Sequence, residues 1–212
     1  MTKIRNPRNP GRPKAAADQI PIQETILWTA SKLFMENGYE SVSLQQIAKA
    51  CQVTKASIYY HFTSKPELFK IAVTTILDKA YASTHRFLQE ADTLKAGLIR
   101  VAEAKIAKPH AEMETMMREA EPFLSKEQMA AIREAEQRIH EVLAEQIHQA
   151  MQSGELREGN ALLMAQAFSA MLMLGNREDT RSGYASSRDM AVDIVDLFLH
   201  GAVKPANENV DV

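Results

Sequence analysis

Three groups of side chains could carry chemistry, and each makes its own demands. The only thiol, Cys51, would need exposure and a lowered pKa to act as a nucleophile. It falls at the end of a short apolar segment with Ile47 and Ala48, where a small buried hydrophobe is expected. A redox-sensing thiol is the alternative. Glu145 and His148 form a Glu-x-x-His pair. A carboxylate-bridged di-iron site in a helical bundle needs two such pairs and two further inward Glu; only this pair is present, and His148 adjoins the buried-face Ile147, which favours solvated surface. The third group is Thr54-Lys55-Ala56-Ser57 with Tyr59, His61 and Lys65, and Ser43 upstream. Small and hydrogen-bonding residues beside one long cation suit base edges in a major groove about 12 Å wide. A phenol, an imidazole and an ammonium placed just after them suit the flanking backbone. Neither catalytic residues nor a metal or other cofactor is assigned, and a non-enzymatic protein is expected.

The elements that must position the third group are legible from their boundaries. Ile26, Ala30, Leu33 and Phe34 recur at helical spacing, and Asn37-Gly38 supplies the left-handed residue that ends a first helix. Ser43 and Gln46 make a capping box with Val42 and Ile47 as staple, opening a second helix that runs to about Cys51. Thr54 caps a third, with Val53 and Ile58 as staple. Thr54 and Ser43 therefore stand where exposed N–H groups favour a phosphate. Ile58, Phe62, Leu44 and Ile47 are read as core, and Tyr60 as packed with its hydroxyl in water. Ser64, Pro66 and Glu67 open a long helix reaching about Ala82. Further helices are expected over 93–107, from Ser125 to a stop at Gly154, over 161–174 and over 187–201, with a polar segment at 176–183.

Charge follows the same division. Residues 1–65 carry nine Lys/Arg and four Asp/Glu, whereas the whole chain has a formal net charge of -2. A basic head on an acidic body suggests that the head meets a polyanion. No apolar stretch approaches a membrane span and no secretory h-region follows the N-terminus, so a cytoplasmic protein without membrane contact is expected. The sequence predicts an all-α protein. Its units are a disordered basic arm (1–20), a three-helix helix-turn-helix domain (21–66), a larger helical effector-binding and dimerisation domain joined by the long helix (67–203), and a disordered tail (204–212).

Residues 26–69 resemble the DNA-binding domain of the TetR family of transcriptional regulators. The resemblance is carried by Leu33-Phe34, Gly38-Tyr39, Ser43-Leu44, Ile47-Ala48, Val53-Thr54-Lys55, Ile58-Tyr59-Tyr60-His61-Phe62, Ser64-Lys65 and Leu68-Phe69. It covers the first third of the chain; beyond Lys70 only helix lengths agree. It implies that Tyr59, His61 and Lys65 contact phosphates of double-stranded operator DNA, and that a small molecule releases a repressor from its site. Two positions depart from the family pattern: Gln52 where Gly is usual, which requires a left-handed non-Gly residue, and Ala56 where Gly is frequent. The alternative readings are a helical-bundle metalloenzyme and a non-specific architectural DNA-binding protein.

Three further sets complete the expectation. Arg12, within Gly11-Arg12-Pro13, either enters a narrow minor groove or belongs to a solvated basic tail. Phe87, Met113, Met116, Met117, Phe123, Met129, Ile139, Leu143 and Phe168 are candidates to line an apolar or amphipathic effector site, Met being the most adaptable apolar side chain. They equally suit a plain core. A homodimer is expected because one head reads only a few base pairs. Its candidate interface is Leu163, Ala167, Ala170 and Met171 on one helix and Met190, Ile194, Leu197 and Phe198 on another, with packing inside the monomer as the alternative.

Overall fold

A computed structural model describes residues 21–107 and 113–202; Arg12 with the rest of the arm, and the tail, lie outside these described residues. Among them the regular structure is helical throughout, without a strand. Helix α1 (Ile22–Asn37) buries Ile26, Ala30 and Phe34, one face at i, i+4, i+8. It ends at Gly38, whose φ of 79° requires a residue without Cβ, and whose N–H bonds to Phe34 O at 2.9 Å. In α2 (Leu44–Ala50) both halves of the expected capping box form: Gln46 N–H donates to Ser43 Oγ, and Ser43 N–H to Gln46 Oε1. Thr54 Oγ1 accepts from Ser57 N–H at 3.1 Å to open α3 (Lys55–His61). Between α2 and α3, Gln52 takes φ 57°, the left-handed conformation its position demanded.

Helix α4 (Lys65–Gln89) is capped by Ser64 and extends beyond the expected end near Ala82, because Thr84 and Leu88 continue its buried stripe. After Thr93 caps α5 (Leu94–Ile106) comes a helix the sequence reading did not assign, α6 (Met113–Ala120). Its Met116, Met117 and Ala120 are buried. A 3-10 turn (Glu121–Phe123) leads into the Ser125 capping box of α7 (Lys126–Gln152). Helix α8 (Ala161–Met171) stops earlier than expected and continues as a 3-10 segment (Leu172–Asn176). There Gly175 lies so close to Ile106 that an added Cβ would come within 2.8 Å of its Cγ1. A single turn, α9 (Glu178–Arg181), occupies the polar segment, and α10 (Ser187–Ala202) completes the described chain.

Two apolar cores result. The first joins α1–α3 to the start of α4 and passes into the body through Met116, Met117, Ala120, Ile132 and Ala135. The head is therefore packed onto α6 and the first half of α7 as well as onto α4. The second core holds α5, the rest of α7, α8 and α10 around Leu98, Leu143, Phe168 and Phe198. Helices α4 and α7 run along both, and an Arg138–Asp78 ion pair spans them on the outside.

Candidate DNA-binding surface

Ile58 and, just past the end of α3, Phe62 are buried against α1 and α2. Because they are four residues apart they share a face, and Lys55, Ala56, Tyr59 and Tyr60 are turned outward. Tyr59 is 49% and Tyr60 86% exposed. The expectation that Tyr60 packs is therefore corrected: an inward Ile58 and Phe62 leave no core position for residue 60. Tyr60 is the residue the sequence reading missed on this surface, and the signal that finds it is this four-residue spacing.

The outward side chains interact with one another. Lys55 Nζ lies 5.8 Å from the centroid of the Tyr59 ring, a cation–π arrangement that limits where the ammonium can go. Tyr60 and His61 meet edge to face at 5.0 Å, with His61 half-buried. Ser43 and Thr54 are exposed at the starts of α2 and α3, their oxygens engaged as caps. Ser57 is half-buried beside them. Together these residues present a cation, phenols, hydroxyls and one methyl, and no carboxylate, along one narrow outward face.

Lys65 stands at the edge of this surface. Its Nζ is 4.2 Å from the Tyr39 ring centroid, and burial lowers its pKa from the ordinary lysine value while Glu40 opposes that effect. Tyr39, Glu40, Lys65 and Phe123 line a cleft of about 260 Å³. Phe123, expected in an effector site, is 54% exposed and lies over Tyr39 with ring centroids 5.5 Å apart.

The remaining effector candidates are divided between the two cores. Met116 and Met117 are buried in the first, with Met129 at its margin. Leu143 and Phe168 are buried in the second, with Phe87 packed against it, and Ile139 touches both. The backbone of Met113 opens α6, but its side chain lies outside the described residues. A separate cavity of about 250 Å³ lies between Ile106, Tyr184, Met190 and the residues that lead into α10. Of the interface candidates, Leu163 (61% exposed), Leu197 (64%), Ala167 and Ala170 face outward. Met171 is half-buried, and Met190, Ile194 and Phe198 are buried within the chain. Cys51 is half-buried, its Sγ 3.8 Å from Thr25 O, while Glu145 and His148 are exposed on α7.

A capped three-helix head with an outward polar recognition face defines a helix-turn-helix DNA-binding protein. Residues 26–72 match the family described as "Bacterial regulatory proteins, tetR family". The chain thus carries, over residues 26–72, the DNA-binding domain of the TetR family of transcriptional regulators. It is 24% identical over 139 residues to the HTH-type transcriptional regulator UidR of Escherichia coli (strain K12), a match covering 64% of this chain and 69% of UidR. It is 39% identical over 57 residues to the negative regulator of the biofilm operon icaADBC, IcaR of Staphylococcus aureus (strain Newman), covering 27% of this chain and 31% of IcaR. The chain thus matches under a third of the length of that relative, and the match falls to one part of it. Among solved structures, AibR in complex with isovaleryl coenzyme A and operator DNA superposes with a TM-score of 0.66. That likeness is at 25% identity over 83% of this chain and 97% of AibR.

Proposed function

We propose that this regulator is a homodimeric repressor that holds a two-fold operator through α3 and is released by an amphipathic small molecule. The observation that carries the DNA-reading part is the outward row of Lys55, Ala56, Tyr59 and Tyr60 on a helix whose other face is locked by Ile58 and Phe62. In this reading Lys55, Ala56 and Ser57 meet base edges, and Ser43, Thr54, Tyr59, His61 and Lys65 meet phosphates on either side. Arg12 adds a contact from the arm, in the minor groove or by counterion release. The exposed faces of α8 and α10, with Leu163, Ala167, Ala170 and Leu197, support dimerisation, since a second copy would cover apolar side chains that otherwise meet water. Repression is the sense in which IcaR is named.

The effector part rests on the second core, where α5, α7, α8 and α10 enclose Leu143 and Phe168 with Phe87 and Ile139 at the edge. Methionine-containing apolar surroundings beside charged helix faces suit a ligand with an apolar tail and a polar head. AibR, of the same fold, is named with isovaleryl coenzyme A, a molecule of that kind. The test has two arms. Selection from a random DNA library should yield one two-fold-symmetric site; uniform coating of DNA would support an architectural protein instead. Titrating isovaleryl coenzyme A and free apolar acids into the protein–operator complex should release the protein with at least one of them. Ligands that raise the melting temperature but leave operator affinity unchanged would remove the effector part and leave the DNA-reading part standing.

A further inference from the structure

Helix α6 reaches the head by a polar contact as well as by its methionines. The Glu119 carboxylate accepts a hydrogen bond from Tyr39 N–H at 3.0 Å and a longer one from Glu40 N–H at 3.4 Å. These amides belong to the tight turn between α1 and α2. A Cβ on Gly38 would lie 2.7 Å from Glu119 Oε2, so a side chain at residue 38 would push the carboxylate from this position. The Tyr39 ring that follows is enclosed by Phe34, Phe69 and Phe123. On it rests the Lys65 ammonium, 4.2 Å from the ring centroid. A chain of direct contacts therefore runs from a body helix to a cation at the edge of the DNA-facing surface.

We propose that Glu119 is a positioning residue for operator binding: from α6 it fixes the turn at residues 38–40 and, through the Tyr39 ring, holds the Lys65 ammonium where a phosphate can meet it. Charge-assisted bonds from two consecutive N–H groups fix the turn more firmly than a neutral acceptor would. A lysine alone is a flexible four-carbon stem with many rotamers, and lodging it on an aromatic face reduces what must be ordered when DNA arrives. The helix that carries Glu119 is packed by Met116, Met117 and Ala120 into the head's own core. A displacement of α6 would thus loosen the turn and free Lys65 without any change in α3.

The proposal rests on the reading of Lys65 as a DNA contact, and a double-mutant cycle on the full-length protein separates the two. Operator affinity is measured for wild type, Glu119→Ala, Lys65→Ala and the double variant. Glu119→Ala should weaken binding about three- to tenfold, Lys65→Ala should weaken it by itself, and Glu119→Ala should add nothing further in the Lys65→Ala background. Glu119→Gln, a neutral acceptor of the same shape, should fold as wild type and lose only about twofold; that loss too should vanish when Lys65 is absent. An equal loss in both backgrounds means Glu119 only supports the fold, and it overturns the proposal. Wild-type affinity in Glu119→Ala overturns it as well. If Lys65→Ala binds normally, the Lys65 contact itself fails and the proposal falls with it, while Lys55→Ala still tests α3.

Discussion

Lys55 and Tyr59 lie one turn apart on α3, with the ammonium held over the ring. Lys55→Ala should lower operator affinity by about 1–3 kcal/mol and relax the base preference, as expected for a base-edge contact. Tyr59→Phe keeps the ring that supports Lys55 and removes only the phenol, so all DNA sequences should weaken alike; binding-site selection with each variant distinguishes the two effects. At Gln52 the backbone makes an independent prediction. Its φ of 57° disfavours a residue with Cβ, so Gln52→Gly should stabilise the protein by roughly 0.5–1 kcal/mol in urea unfolding. The left-handed need at 52 was legible because Gly is usual there. Tyr60 was misread because the family motif names a tyrosine without saying which way it points. Only the inward pair Ile58 and Phe62 decides that.

At the scale of elements, the boundaries legible in the sequence were those written in local chemistry. The caps at Ser43, Thr54, Ser64 and Ser125 all form, each with the N–H three residues on. What was not legible depends on distant contacts. Helix α6 is eight residues long and too short to declare itself by periodicity; it is held by burial of its methionines among head residues. The 3-10 segment that follows α8 sets Gly175 against Ile106, about 70 residues away in sequence. Gly175→Ala should therefore destabilise the body, by about 1–3 kcal/mol for an overpacked site, in thermal or urea unfolding. The α4–α7 junction carries a pH dependence. Glu67 is bonded to Lys70 and to Gln128 of α7, and the Lys70 bond, foremost, lowers its pKa below the ordinary glutamate value. Its contribution is complete above that ordinary value and is lost as pH falls through the lower folded value. Glu67→Gln should flatten the acid side of the stability–pH profile across that window and leave neutral stability little changed beyond the lost ion pair.

For the whole molecule, the division into a basic head and an acidic body was visible in charge alone, but the way they join was not. Effector candidates were grouped in sequence by their methionines, yet Met116 and Met117 pack into the head-side core while Leu143 and Phe168 pack into the other. The candidates are separated because α6 packs wholly into the first core, whereas α7 runs along both. The outward Leu163 and Leu197 make dimerisation testable. Leu163→Lys with Leu197→Lys should give a monomeric mass by light scattering at micromolar protein and reduce operator binding together, since two linked heads bind far more tightly than one.

The most direct test of the central claim is selection of bound sites from a random DNA library by wild-type protein, followed by footprinting of the winning sequence with wild type and Lys55→Ala. Selection should return a two-fold-symmetric site whose half-sites are centred about 34–36 Å apart, or a multiple of that spacing, protected by wild type and weakened, with relaxed base preference, in the variant. Uniform protection without a preferred sequence, or an unchanged footprint and preference in Lys55→Ala, would contradict the claim.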